Sequence, residues 1–147
     1  MKLVAENKRA RFEYELLETY EAGIVLTGDE IKSIRLGHMS IVDCYGFIKD
    51  GECFLRNSYI KEYSNSFDAG RFGDTSRRDR KLLLHKDEIE KIKRKIETER
   101  LTIVPTKAYF SGSNIKVEIA IAKGKKLYDK RETLKKKDLE RKLKTKL

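Results

Sequence analysis

Histidine and cysteine are scarce in this chain, with two of each in 147 residues, and proline occurs once. No apolar run approaches the ~20 residues that a helix needs to cross a bilayer, so no membrane partner is expected. The opening MKLVAENKRARFEYE has neither the apolar centre nor the small-residue cleavage site of a signal peptide, and a cytoplasmic location is expected. Catalysis is not expected either, because no nucleophile and base stand at a recognisable spacing around His38 and His85. The same two histidines with Cys44 and Cys53 lack the close spacing of a structural zinc site, so neither metal nor cofactor is expected. Lys123-Gly124-Lys125-Lys126 is not a phosphate-binding loop: Ile119 stands where its first glycine belongs, and Leu127 replaces the hydroxyl residue.

A disulfide is also excluded. Asp50-Gly51 closes a hairpin that sets Phe47 opposite Phe54, Ile48 opposite Cys53 and Cys44 opposite Asn57. The two sulfurs are then separated by four residues along a strand, roughly 13 Å, beyond bonding reach. Two free thiols packed as small apolar groups are expected.

Charge is what the chain has in abundance. The formal net charge is +10, and residues 125–147 hold eleven Lys or Arg against four Asp or Glu, or +7 of it. A nearly balanced body with a basic tail suits a polyanion, nucleic acid above all, although a merely solubilising tail would have the same composition. In that tail Glu132/Lys136, Asp138/Lys142 and Glu140/Lys144 place acid four residues before base, while Leu139, Leu143 and Leu147 form too thin a stripe to dock. The expectation is a tail over 125–147 that is disordered when free and helical when bound, appended to an RNA-binding body over 1–124.

Phe12, Tyr14 and Leu16 alternate with glutamates and Ala22–Leu26 is a second apolar run, so residues 11–26 read as strand, bend, strand. Thr27-Gly28-Asp29-Glu30 matches a capping box, with Gly37 placed to end the helix. Residues 41–49 and 52–63 flank the Asp-Gly turn as two more strands. Residues 64–80, SNSFDAGRFGDTSRRDR, read as an exposed, mobile basic loop. Ile89, Ile92 and Ile96 share one face of a helix over 86–97. Strands over 101–110 and 114–122 follow, with Pro105 marking an edge or a bulge. Six short antiparallel strands with inserted helices hide their edges best by closing, so the expected fold is mainly β: a six-stranded OB-like barrel with two or three helices.

Binding chemistry clusters on this outline. Asn7, Lys8, Arg9 and Arg11 at the first strand, Lys32 and Arg35 on the first helix, and the run containing Arg80 and Lys81 supply groups suited to phosphates. Tyr14, Tyr20, Tyr59, Tyr63 and Tyr109 lie on or beside strands, where they could stack bases or simply fill the barrel. Glu21, against this positive background, could accept hydrogen bonds from a base edge or be an ordinary surface carboxylate.

Four motifs then stop being generic: Asn7-Lys-Arg-Ala-Arg11; Thr19-Tyr-Glu-Ala-Gly-Ile-Val-Leu-Thr-Gly28 with Glu30-Ile-Lys-Ser-Ile-Arg35; Arg80-Lys-Leu-Leu-Leu-His-Lys86; and Ala122-Lys-Gly-Lys-Lys-Leu-Tyr-Asp-Lys-Arg131. In this order they resemble the SsrA-binding protein family from about residue 5 to 132. The resemblance implies a non-enzymatic adaptor that binds the tRNA-like domain of transfer-messenger RNA. It would deliver that RNA to the decoding centre and mRNA path of the small subunit of stalled ribosomes, for tagging and rescue. Elongation factor Tu and alanyl-tRNA synthetase would be reached only through the RNA. To the RNA surface already outlined it adds Gly23, Asn57, Lys123, Lys125 and Lys126, and it assigns Tyr128, Asp129, Lys130 and Arg131 to the ribosome. Residues 64–73 follow no family pattern. A general single-stranded or ribosomal RNA-binding OB protein is the competing class, separated by its indifference to a folded tRNA-like ligand.

Overall fold

The computed structural model describes residues 2–63 and 73–125. Its elements are β1 (Lys2–Glu6), α1 (Lys8–Glu13), β2 (Tyr14–Ile24), α2 (Gly28–Arg35), β3 (Met39–Ser40), β4 (Tyr45–Lys49), β5 (Glu52–Arg56), β6 (Tyr59–Ile60), β7 (Arg80–Leu83), α3 (Lys86–Glu99), β8 (Thr102–Ser111) and β9 (Asn114–Gly124). The expectations for the tail beyond residue 125 and for residues 64–72 fall outside the described residues.

Six strands close a ring in the order β8-β4-β5-β7-β2-β9, with β9 pairing back onto β8. All of these pairings are antiparallel, and β1 adds to the free stretch of β8 beyond its contact with β4. The expected six-stranded barrel is therefore present, but two of its members differ from the sequence reading. Residues 11–26 do not make strand, bend, strand. Residues 8–13 are a helix, and β2 is one long strand whose register slips between Leu16 and Glu18, so the expected bend is a bulge. The sixth stave is β7, which the sequence reading did not assign as a strand and of which only Arg80 fell in the expected loop.

Packing explains α1. A six-residue helix has no stability of its own. Here Ala10 is buried on a shelf of Val104, Ala120 and Ala122, with Tyr14 and Leu16 beside it. The backbone N–H of Asn7 donates to Thr106 at 2.8 Å and its side-chain amide to Pro105 at 3.1 Å, which anchors the start of the helix to β8. The second half of β9 is thus buried on both faces, by isoleucines inside and by α1 outside.

The larger core fills the barrel with Leu55, Leu82, Ile103, Val117, Ile119 and Ile121, and α3 adds Ile92. Thr27 caps α2 with a complete capping box, as read. Gly46 marks where β4 closes on β8: a Cβ there would lie 2.7 Å from Cγ2 of Ile103. Pro105 sits at a bulge, since the β8–β9 register shifts between Pro105 and Lys107. The β4–β5 hairpin keeps the expected register, Phe47 against Phe54 and Ile48 against Cys53, and both cysteines are buried free thiols. Its strands are shorter than expected because Asp43 and Asn57, at φ of 63° and 67°, turn the chain at each end.

Candidate nucleic-acid interface

The fold brings the first and last described motifs together. Lys8, Arg9 and Arg11 lie exposed on α1. At the far end of β9, Lys123 pairs with Glu15 and Gly124 with Tyr14. The Nζ of Lys125 donates to the Arg11 carbonyl at 2.8 Å and its backbone N–H to that of Glu13 at 3.0 Å, across 114 residues of sequence in the first case. Five cations from two distant motifs thus share one end of the barrel. The chain leaves this cluster toward Lys126, Tyr128, Asp129, Lys130 and Arg131, all outside the described residues.

Glu21 is exposed on β2 directly opposite Glu118 of β9, a pairing of like charges that ordinarily destabilises a sheet. Both carboxylates are held from β8. The Tyr109 hydroxyl donates to Glu21 and the Thr106 hydroxyl to Glu118. Burial and the neighbouring Glu21 push the Tyr109 phenol up to about 12, so at neutral pH it keeps its proton and fixes the Glu21 carboxylate. Tyr109 was read as a possible stacking residue. It is 6% exposed and positions an acid instead, a role visible only once β8 and β9 are in register. Gly23, two residues after Glu21, lies between Leu83 of β7 and Lys116 of β9.

The other tyrosines named from the sequence as possible stacking residues each have a neighbour within the fold. Tyr14 packs against the alanine shelf, Tyr20 donates to Glu18 at 2.8 Å, and Tyr59 lies 5.1 Å beneath the Arg77 guanidinium. Lys32 and Arg35 are exposed on α2, Lys32 over the ring of Tyr63 at 5.6 Å.

Within the run read as phosphate contacts, one member is turned inward while Arg77 is exposed and Lys81 half-exposed. Arg80 is fully buried: Nε donates to Glu30 at 2.8 Å, Nη1 to the Ser58 carbonyl and hydroxyl at 2.8 Å each, and Nη2 to the Thr75 and Ser76 carbonyls. It presents nothing to a phosphate and ties β7 to α2 and to the segment before β6. Burial pulls the pKa of its guanidinium down, and the Glu30 carboxylate opposes that effect. Burial alone would raise Glu30, but Arg78, the Thr27 N–H and Arg80 outweigh it and hold the carboxyl below its ordinary range. Lys81 pairs with Glu52 at 2.9 Å. Asn57 bridges the Asp43 carbonyl and the Arg77 guanidinium. Among the described residues no three metal-ligating side chains converge, and no helix is long and apolar enough to cross a membrane.

Known proteins match this arrangement. The sequence model of the family described as "SmpB protein" matches residues 4–147. An SsrA-binding protein from Gloeothece citriformis is 52% identical over 140 residues, 95% of this chain and 89% of its own length. One from Mycoplasma mycoides is 51% identical over 140 residues, again 95% of this chain and 93% of its own. Among solved structures, a chain of "tmRNA-SmpB: a journey to the center of the bacterial ribosome" superimposes with a TM-score of 0.68 at 44% identity, covering 88% of this chain and 92% of that one.

Proposed function

The chain belongs to the SmpB protein family, and from that premise we propose that it is the RNA-binding adaptor of trans-translation, binding transfer-messenger RNA and bringing it to stalled ribosomes. It is not an enzyme; its chemistry is recognition. The observation that carries this reading is the joining of two motifs 114 residues apart through Lys125 and Arg11, which brings Lys8, Arg9, Arg11, Lys123 and Lys125 to one end of the barrel.

The finer assignments follow from that surface. Cations on α1 and at the end of β9 neutralise phosphates and set orientation, while Glu21, held by Tyr109, accepts hydrogen bonds from a base edge. The ligand is the tRNA-like domain. Residues 1–124 bind the RNA, and residues 125–147 enter the empty mRNA path, where Tyr128, Asp129, Lys130 and Arg131 meet the decoding centre. Elongation factor Tu and alanyl-tRNA synthetase act on the RNA and not on this chain, and the site of action is the cytoplasm.

Competition binding at fixed salt tests the reading. The chain should retain the tRNA-like domain against a large excess of unstructured RNA of equal length. Equal competition by both would assign it to general single-strand binding.

A further inference from the structure

Between α1 and the loop that enters β4 lies a cleft of about 200 Å³ that the cationic cluster leaves unfilled. Ala10, Cys44 and Val104, all buried, give it an apolar floor, and Tyr14 and Tyr45 line it. Pockets for drug-sized molecules run to about 300–1,000 Å³, so this one suits a single flat ring system.

Its polar groups define the complementary edge. Asn7 lines the cleft and is 8% exposed. Its side-chain nitrogen donates to the Pro105 carbonyl, which fixes the amide's orientation and leaves Oδ1 buried with no hydrogen-bond partner among the described residues. Native structures rarely leave a buried acceptor orphaned, because the group loses water and gains nothing. The carboxylates of Glu13 and Asp43 supply two further acceptors. They lie 3.9 Å and 3.7 Å from the Arg9 guanidinium, close enough for ion pairing and beyond hydrogen-bond distance, so the Arg9 donors remain available.

We propose that this cleft receives one unpaired guanine base of RNA. Guanine alone among the four bases presents two adjacent donors, N1–H and the N2 amine, beside one acceptor, O6. A carboxylate takes the two donors together, Arg9 serves O6, and the tyrosines flank the ring. Adenine and cytosine offer one donor on that edge next to an acceptor, and uracil offers one donor between two acceptors. The inference rests on the reading of the chain as RNA-binding and specifies what one part of its surface selects.

The test uses the full chain with the pentaribonucleotides UUGUU, UUIUU and UUAUU, followed through the Asn7 side-chain amide resonances and tyrosine fluorescence. UUGUU should bind about tenfold tighter than UUAUU, with inosine, which lacks the N2 amine, falling between them, and the Asn7 amide should shift. Asp43→Asn and Tyr45→Ala, at exposed positions where folding is not at risk, should abolish the preference. Equal affinity for the three oligonucleotides, or an Asn7 amide that stays unmoved beside a long-lived water, overturns the proposal. Binding of the tRNA-like domain is measured in parallel. If that fails in the unaltered chain, the adaptor reading itself is at fault. If Asp43→Asn weakens it, the guanine belongs to that RNA, and if it instead weakens only ribosome association, the guanine is ribosomal.

Discussion

Glu30 and Arg80 show how a residue that looks like a surface cation becomes part of the interior. Arg80 has every guanidinium nitrogen engaged, and removing its counter-ion leaves an uncompensated buried charge. Glu30→Gln should therefore cost about 3–5 kcal/mol in chemical denaturation, while pairing it with Arg80→Met should recover much of the loss. A cost below about 1 kcal/mol would mean the pair is solvated. Because the folded-state pKa of Glu30 lies below its unfolded value, the pair stabilises the fold above about pH 4.3, and that contribution is lost as acidity carries the carboxyl through its folded pKa. The denaturation midpoint should fall with pH in that window, and less steeply in Glu30→Gln. Tyr109→Phe makes the complementary case. It keeps the ring and removes the donor to Glu21, so affinity for the tRNA-like domain should drop about fivefold while the melting temperature falls by only a few degrees. Unaltered affinity would remove the Tyr109–Glu21 pair from the interface. The sequence singled out Glu21 through its motif, as a candidate that the proposed interface retains, and hid Arg80 in a run of charges, because burial of an arginine depends on partners 22 and 50 residues away.

Elements were legible where the cause is local. The capping box of α2, the Asp50-Gly51 hairpin and the isoleucine stripe of α3 each lie within a few residues, and each is present. What failed was tertiary in origin. Phe12, Tyr14 and Leu16 alternate like a strand, yet the shelf of Val104, Ala120 and Ala122 turns residues 8–13 into a helix, and the shelf lies about a hundred residues away. β7 was missed for the same reason: its place between β5 and β2 is a property of the closed ring. Closure itself depends on Gly46. Gly46→Ala drives a methyl group into Ile103 and should destabilise by about 1–3 kcal/mol. The cost should shrink in an Ile103→Ala background, as a double-mutant cycle will show. Equal costs in both backgrounds would place the strain elsewhere.

For the whole molecule, the proposed division of labour is between a nearly balanced barrel and a tail that carries +7 of the +10 net charge. Composition suited a polyanionic partner without requiring one, and the order of four motifs pointed to which one. The spatial union of the first and last described motifs, on which the proposed interface rests, could be seen only in the fold. The most direct measurement of the central claim is tagging of stalled nascent chains in a reconstituted translation system supplied with transfer-messenger RNA. The intact chain should support tagging. A chain cut after Leu127 should bind the tRNA-like domain with modest loss at low salt and less at physiological salt, where the Debye length is about 8 Å, and yet fail to tag. Replacing Asp129, Lys130 and Arg131 with alanine should give the same separation at almost unchanged net charge. Tagging at full rate by the truncated chain would contradict the account and reduce the tail to solvated charge.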